Sequence, residues 1–243
     1  MKIAIQISGE FRMLHLCLPA LNKVIKDHDV DFFVHVWRKE ESGETYPFQG
    51  RSIWHKTMIV YGHGQGIAAF QPRSYLVENY ENKKELHEKP RSMSMYYSIY
   101  MANQIRKDYE KRMDVKYDVV MRYRTDCIVE TPIFQQLPTS DEKPYLVIPV
   151  SSRIVNVDGP CEDLSICDWI AWGTPDTMDV YCSTFLMWFE QPSDQIPIPE
   201  SMLYLQLKRA GLTSPTFLKR PEVDFYLVEG NGQVRGQTRS KNS

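Results

Sequence analysis

A strand, a helix and a second strand follow one another within the first 37 residues, and this order constrains the fold more than any other feature of the sequence. Ile3, Ile5 and Ile7 alternate with small or polar residues, which is typical of a strand. Leucines at helical spacing predict a helix over 14–26, and the apolar run 31–37 predicts a strand buried on both faces. Such a unit crosses over right-handedly in a parallel sheet. We therefore expect an α/β fold.

The remaining sequence continues this alternation. Strands are expected at 74–78, 117–122, 145–150, 169–172 and 223–228, and helices at 95–113, 174–190 and 199–210. Residues 38–66 are rich in Gly, Ser, His and charge, which favours a mostly irregular excursion. A chain of 243 residues is long enough for one α/β domain with a real core. We expect that domain over 1–229, followed by a flexible tail over 230–243.

Charge and cysteine usage narrow the class of protein. The formal net charge is −2, from 29 basic and 31 acidic residues, so there is no excess positive charge for a nucleic acid. No apolar run approaches the length of a transmembrane helix, and the N-terminus reaches polar residues too early for a signal peptide. The five cysteines lack CxxC spacing, which favours reduced thiols over a disulfide framework or a zinc site. We expect a cytoplasmic protein without a transmembrane segment.

A polar cluster follows the first predicted strand, at residues 8–12. Gly9 allows a close approach of the backbone to a ligand, and Arg12 can hold a phosphate through two parallel hydrogen bonds. The alternative is a tight turn with a solvated arginine. Neither GxGxxG nor GxxxxGK[ST] is present, which disfavours a dinucleotide-binding dehydrogenase and a P-loop kinase.

A second polar cluster, Arg-Tyr-Arg-Thr-Asp at 122–126, follows the buried strand in the middle of the chain. Asp126 is placed to hold a divalent cation or a ribose hydroxyl, and Arg122 and Arg124 can neutralise a diphosphate. The alternative is a surface ion pair between Arg124 and Asp126, worth less than about 1 kcal/mol.

A third candidate is Asp168, which precedes an apolar run that carries two tryptophans. A carboxylate against aromatic walls can act as a general base, and tryptophan faces stack on sugar rings. The alternative is core packing, with Asp168 bonded to a nearby backbone N–H. Glu200 lies in the first turn of the last predicted helix, where a carboxylate favours the helix dipole whatever the function.

Several aromatic and imidazole side chains are more simply interpreted as structural. His35, in the second strand, is a candidate core histidine with a satisfied ring, because the six histidines show neither HxxxH nor HExxH spacing. Tyr96 and Tyr97 on the long predicted helix are interpreted as packing residues.

Five short motifs occur in a familiar order. They are Ile-Ser-Gly-Glu-Phe-Arg at 7–12, Asp-Phe-Phe-Val-His-Val-Trp at 31–37, Tyr-Asp-Val-Val-Met-Arg-Tyr-Arg-Thr-Asp at 117–126, the segment 168–181 and Pro-Glu-Ser-Met-Leu at 199–203. Together they resemble GT-A-like glycosyltransferases of surface-polysaccharide gene clusters, the WavE-like lipopolysaccharide group, which also occur in large DNA viruses and phages. Each motif is short, so the specificity of the resemblance comes from their order.

This resemblance implies one nucleotide-sugar-binding domain with a Rossmann-like twisted sheet flanked by helices. It also implies transfer of a sugar from a nucleoside-diphosphate sugar to a hydroxyl of a glycan or polysaccharide acceptor. The residues that it assigns to the nucleotide pocket are Ser8, Gly9 and Arg12, those at the place of the metal-binding Asp-X-Asp are Arg122, Arg124 and Asp126, and the acceptor-side carboxylates are Asp168 and Glu200.

The sequence departs from the Asp-X-Asp pattern at position 124, which is arginine and leaves Asp126 as the only aspartate there. Either Asp126 holds Mn²⁺ or Mg²⁺ more weakly, or the arginines replace the cation at the diphosphate. Two other classes stay open. A sugar nucleotidyltransferase would usually carry a Gly-rich loop with lysine after the first strand, which is absent here. A non-catalytic nucleotide- or sugar-binding protein would bind such ligands without turnover, and a plain interaction domain would bind none.

Overall fold

Twelve strands and five α-helices are defined in a computed structural model of the protein, which describes residues 1–38, 60–83, 85–86, 91–129, 144–149, 168–190, 199–213, 218–219, 225–228 and 234–235. The strands are β1 (Lys2–Gly9), β2 (Phe11–Arg12), β3 (Asp29–Arg38), β4 (Val60–Tyr61), β5 (Ser74–Asn79), β6 (Val119–Tyr123), β7 (Cys127–Val129), β8 (Leu146–Val147), β9 (Ile170–Gly173), β10 (Leu218–Lys219), β11 (Phe225–Val228) and β12 (Val234–Arg235). The helices are α1 (Leu14–Ile25), α2 (His63–Phe70), α3 (Arg91–Met113), α4 (Pro175–Cys182) and α5 (Pro199–Arg209). Two 3₁₀ helices, Tyr80–Lys83 and Ser183–Phe189, complete the described elements.

Seven of these strands form the central sheet, in the order β10-β8-β9-β6-β1-β3-β5. β6, β1, β3 and β5 are parallel to one another, whereas β9 runs antiparallel to both β6 and β8. β2 pairs with β4, and β7, β11 and β12 form a separate antiparallel sheet. The predicted α/β fold, with a mostly parallel sheet flanked by helices, is confirmed.

Helix α3 covers one face of the sheet along β1 and β3. The side chain of Gln6 in β1 donates to Asn103 Oδ1 of α3 over 2.6 Å, and Asn103 donates in turn to Asp179 Oδ1 of α4 over 2.8 Å. These buried bonds fix α3 and α4 against the strands that carry the candidate site. None of the helices in the described ranges is both long and apolar enough to cross a bilayer.

The structure differs from the sequence prediction at several element boundaries. Residues 60–66 of the predicted irregular excursion contain β4 and the start of α2, while 39–59 lie outside the described residues. Helix α3 begins at Arg91, four residues earlier than predicted. β11 belongs to the small sheet, and β12 lies within the predicted flexible tail. The rest of that tail lies outside the described residues.

The predicted helix 174–190 divides into α4 and a 3₁₀ helix because two hydroxyls compete for backbone carbonyls at the junction. Ser183 Oγ donates to the carbonyl of Val180, and Thr184 Oγ1 donates to the carbonyl of Tyr181, each over 2.8 Å. Such local side-chain bonds weaken the regular ladder of an α-helix. The chain therefore tightens into the 3₁₀ helix Ser183–Phe189.

The contact between α2 and β2 makes Gly66 sensitive to substitution. A Cβ atom on Gly66 would lie 2.0 Å from Phe11 Cδ2, and Phe11 is itself stacked on Phe70 at 5.8 Å. We expect Gly66→Ala to lower the free energy of unfolding by about 1–3 kcal/mol through overpacking. Gly64→Ala, on the same helix with no atom within 4 Å of its Cβ position, is the matched control and should be neutral or stabilising. Urea unfolding of both variants measures this; equal effects at the two positions would contradict the packing.

Candidate active site at the carboxyl edge of the sheet

The chain connections in the central sheet run in opposite directions on the two sides of β1. β1 is flanked by β3 on one side and by β6 on the other, and all three strands are parallel. Open α/β sheets bind ligands outside the carboxyl ends of the strands at such a point. The segments that follow β1 and β6 therefore line the expected ligand crevice, and these are the first two polar clusters of the sequence.

Thr125 joins these two segments. Its hydroxyl donates to the carbonyl of Glu10 over 2.8 Å and accepts the backbone N–H of Arg12 over 3.0 Å. Gly9 makes the approach possible, because its φ of +92° lies in the left-handed region that favours glycine. No atom lies within 4 Å of its Cβ position, so the space beside it is open. The loops after β1 and β6 thus form one rigid rim.

Two arginines on this rim share one buried carboxylate. Arg124 donates from Nε to Asp126 Oδ1 over 2.6 Å and from Nη2 to Asp126 Oδ2 over 3.0 Å. Arg12 Nη1 lies 3.6 Å from Asp126 Oδ2, and Arg12 also donates to Glu10 Oε2 over 3.0 Å from Nε and 2.8 Å from Nη2. Asp126 has no exposed side-chain surface, whereas Arg12 and Arg124 are 24% and 23% exposed. The surface ion pair considered as an alternative is therefore one in which the carboxylate is fully buried.

Asp126 is held in its ionised form. Burial alone would raise the pKa of its carboxyl, but the charges of Arg124 and Arg12 outweigh burial and hold the pKa below its usual range. The pKa of Arg124 is raised because Asp126 outweighs the effect of burial on the guanidinium. The group thus holds two cations and two anions, with Asp126 shared between the arginines and Glu10 bonded to Arg12.

Asp168 has the opposite electrostatic character. It lies two residues before β9, and because β9 runs antiparallel to β6, the start of β9 lies at the same edge of the sheet as the end of β6. The side chain of Asp168 is buried. Burial raises the pKa of its carboxyl, and the charges of Arg124 and Arg122 only partly offset this. Asp168 is therefore a carboxylate that takes up a proton readily.

Glu200 and Tyr96 belong to the surroundings of Asp168. Burial raises the pKa of Glu200, and the charge of Asp168 raises it further. Tyr96 on α3 is fully buried, and its hydroxyl pKa is raised by burial first and then by Asp168. The sequence-predicted pair of acceptor-side carboxylates is thus brought together by β9 and α5, beside the tyrosine.

Arg122 lies beneath the rim. Its register places it beside Gln6 of β1 and Ala171 of β9, and it is only 2% exposed. Its Nη1 donates to the carbonyl of Tyr123 over 2.5 Å, and its Nε has no hydrogen-bond partner among the described residues. Burial lowers the pKa of this guanidinium. The structure therefore places Arg122 below the crevice, out of direct reach of a ligand on its surface.

The sequence-predicted residues fall into two groups linked by Arg124, whose charge acts on both Asp126 and Asp168. Ser8 belongs to neither group and pairs in register with His35 of β3. Sequence reasoning missed the role of Thr125, although it lies between two candidates, because a bridging hydroxyl has no spacing pattern. It also assigned Tyr96 to packing alone, and only the fold places that residue beside Asp168.

The donor set around Asp126 does not fit a divalent cation. Both oxygens of Asp126 face guanidinium groups, which would repel a second positive charge. Across the described residues, no group of three or more His, Cys, Asp or Glu side chains is arranged to hold a metal ion. We therefore derive no step through Mn²⁺ or Mg²⁺.

No protein-family model matches the chain, and no curated protein matches it either. Two glycosyltransferases are among the solved structures that are similar to it. One is a glycosyltransferase involved in the glycosylation of the major capsid of PBCV-1, with 12% identity, a TM-score of 0.45, and coverage of 91% of this chain and 82% of that one. The other is the galactosyltransferase LgtC in complex with donor and acceptor sugar analogues, with 10% identity, a TM-score of 0.48, and coverage of 85% and 70%. Because both TM-scores lie below 0.5, we base the function on the site itself.

Proposed function

We propose that the protein is a glycosyltransferase that moves a sugar from a nucleoside-diphosphate sugar to a hydroxyl of a glycan or polysaccharide acceptor. One observation carries this proposal: two buried carboxylates at one edge of the sheet have environments that push their pKa values in opposite directions. Such a division gives neighbouring acidic groups different roles in acid–base chemistry. The resemblance to WavE-like transferases supports the same reaction and the class of acceptor.

On the donor side, Arg12 and Arg124 would bind the diphosphate. Their side chains are about a quarter exposed and are oriented by Asp126 and Glu10, and the N–H groups outside these bonds are the donors for the diphosphate. When the bond between sugar and diphosphate breaks, the leaving diphosphate gains negative charge. Preorganised cations that face this charge stabilise the transition state without a reorganisation cost. In this proposal the arginines supply what a divalent cation would otherwise supply.

On the acceptor side, Asp168 would act as the general base. As the acceptor oxygen forms its bond to the anomeric carbon, the hydroxyl proton passes to Asp168, and the diphosphate departs with the electron pair of the broken bond. The raised pKa of Asp168 strengthens it as a base. Glu200 adds a second negative charge that favours protonation of Asp168 during the transfer. A base in this position corresponds to inversion at the anomeric carbon, whereas a retaining reaction would not need it.

Thermal unfolding with added ligands tests the donor side. UDP, GDP, CDP and dTDP sugars are added, each with Mn²⁺ or with EDTA. Ligand at about 100 Kd should add roughly 2.7 kcal/mol to the free energy of unfolding, and one nucleotide family should give the shift. Because arginines take the place of the cation, we expect the same shift in EDTA. A shift that requires Mn²⁺ would contradict the assignment of the arginines, and no shift with any nucleotide would overturn the proposed function.

Two arginine variants make this test specific. Arg12→Ala removes a donor to the diphosphate while Asp126 keeps its bidentate bonds to Arg124, so we expect nucleotide affinity to fall roughly 10- to 100-fold. Arg209→Ala removes an exposed arginine paired with Glu190 on another part of the surface and should leave affinity unchanged. Equal losses in both variants would show a general charge effect instead of a site. Nucleotide binding without any sugar transfer or nucleotide-sugar hydrolysis would favour a non-catalytic binding protein.

A further inference from the structure

Two neighbouring polar atoms in the sheet lack hydrogen-bond partners. Ser8 of β1 pairs in register with His35 of β3, so their side chains leave the sheet on the same face. Within the described residues, Ser8 Oγ and His35 Nδ1 are buried and have no partner. The two side chains are 7% and 0% exposed. Buried polar atoms are almost always bonded, so such a pair marks a place where a further bond is made in a working state.

Glu78 determines which ring nitrogen of His35 carries the proton. His35 Nε2 lies 2.8 Å from Glu78 Oε2, and the imidazole is held edge-on by Trp37 and Tyr97 at 5.2 and 5.6 Å between ring centroids. The hydroxyl of Tyr97 also bonds to Glu78. Burial lowers the pKa of His35, and the bond to Glu78 only partly offsets this, which favours the neutral ring. A neutral ring that donates from Nε2 to a carboxylate leaves Nδ1 as an acceptor.

This arrangement sets the direction of the hydrogen bond that the Ser8 hydroxyl can make. A turn about its single side-chain torsion lets its hydroxyl donate to His35 Nδ1, and its oxygen lone pairs are then available to accept a hydrogen bond from a ligand hydroxyl. Ser8 directly precedes Gly9, beside which the space is open, and the loop then reaches Arg12. In a nucleoside diphosphate held by Arg12, the hydroxyls next to the diphosphate are those of the ribose.

We propose that Ser8, His35 and Glu78 form a relay that recognises one ribose hydroxyl of the bound nucleoside diphosphate. In this relay the ribose hydroxyl donates to Ser8 Oγ, Ser8 donates to His35 Nδ1, and His35 donates from Nε2 to Glu78. The proposal rests on the proposed function, since the ribose arrives with the nucleotide. His35 and Glu78 act through Ser8 and are positioning residues.

Calorimetric titration of the full chain with ribonucleotides and their deoxy analogues tests the relay. The probes are UDP, GDP, CDP and ADP, each compared with its 2′-deoxy and 3′-deoxy forms, and dTDP, compared with its 3′-deoxy form. For the nucleotide that binds, we expect about a 10-fold preference over one of the two deoxy forms, as a buried hydrogen bond provides. Ser8→Ala should reduce this ratio to about one and leave the affinity for the deoxy form unchanged. A merely structural defect would lower the affinities for the ribonucleotide and for its deoxy form alike.

Three more variants separate recognition from packing. Ser98→Ala is the matched control: Ser98 on α3 is also buried, and within the described residues its Oγ has no partner, but it lies outside the relay, so the ratio should persist. His35→Gln can keep the bond to Glu78 but has no acceptor in place of Nδ1, so it should lower the ratio as Ser8→Ala does. His35→Asn places an amide oxygen near the position of Nδ1 and should retain part of the preference for the ribonucleotide.

The possible failures are distinguishable. If wild-type protein binds a ribonucleotide and both deoxy forms equally, or if Ser8→Ala keeps the preference, the relay is overturned while the proposed function stands. If none of the nucleotides binds at any concentration tested, the proposed function is overturned and the relay with it. A preference lost in Ser98→Ala as well as in Ser8→Ala would also overturn the relay, because the effect would then come from packing around α3.

Discussion

Asp168→Asn is expected to lower the rate of sugar transfer by about 10²- to 10⁴-fold, which is the usual contribution of a positioned general base. The amide keeps the shape of the side chain but cannot accept the proton of the acceptor hydroxyl. Because the donor site is built from Arg12 and Arg124, we expect nucleotide affinity to stay unchanged. Initial rates at saturating donor, together with titration of the donor nucleotide, separate the two quantities.

The same variant should be more stable than the wild type at pH 7. The pKa of Asp168 is raised in the folded protein, chiefly by burial, so its ionised form disfavours the folded state at neutral pH. The stability associated with its protonated form is present in acid and lost as pH rises through the raised pKa. Asparagine carries no charge at either pH, so Asp168→Asn does not lose this stability as pH rises. The melting temperatures of the two proteins should therefore converge as pH falls below about 4.

Asp176→Asn, on the exposed first turn of α4, is the control for the change of acid to amide. It should leave the transfer rate unchanged. Full transfer activity in Asp168→Asn would remove Asp168 from the role of base, and a retaining mechanism would then be the better account of any activity. A fall in stability would contradict the raised pKa.

Asp126→Asn is expected to have the opposite effect on stability and to lower the free energy of unfolding by about 3 kcal/mol at pH 7. Removing the buried anion leaves Arg124 without its bidentate partner, while Arg12 keeps its bonds to Glu10. The value is at the low end of the range for buried pairs, because the Arg124 side chain is about a quarter exposed and Arg12 keeps Glu10 as a partner. Equilibrium unfolding in urea measures it.

The pH dependence of this loss follows from the lowered pKa of Asp126, where Arg124 and Arg12 outweigh burial. A lowered carboxyl pKa gives stability that is present at neutral pH and lost as pH falls through the folded-state pKa. The difference between wild type and Asp126→Asn should therefore shrink in acid. Glu190→Gln breaks an exposed ion pair with Arg209 and should cost less than about 1 kcal/mol. A similar, small loss in both variants would contradict the buried arrangement.

The sequence was sufficient to predict that the segments after β1 and β6 meet at one edge of the sheet. Alternating strands and helices imply parallel strands, and parallel strands end at one edge, so the clusters at 8–12 and 122–126 had to meet there. Each of these inferences depends on patterns that span several residues, which is the kind of information that side-chain periodicity carries.

The remaining features depend on contacts between distant residues. An apolar run such as 170–173 carries no sign of strand direction, so the antiparallel course of β9 was not predictable. Two glycines obscured α2, whose first turn is supported instead by the bond from the Gly62 N–H to Gln65 Oε1 over 3.1 Å. The burial of Asp126 and the bridge made by Thr125 require β1 and β6 to be adjacent. His35 was expected to be a satisfied core residue, yet its Nδ1 has no partner among the described residues.

The pairing of β7 with β11 has a consequence for synthesis on the ribosome. β7 begins at Cys127, directly after Asp126, and its neighbour in the small sheet is β11, about a hundred residues later in the chain. A nascent chain that has formed β1, β3 and β6 still lacks β11, the strand that pairs with β7. The segment after the arginine rim therefore keeps an open strand edge until Phe225–Val228 has emerged. Translation pauses before that point would prolong the time during which this edge is available to chaperones or to aggregation.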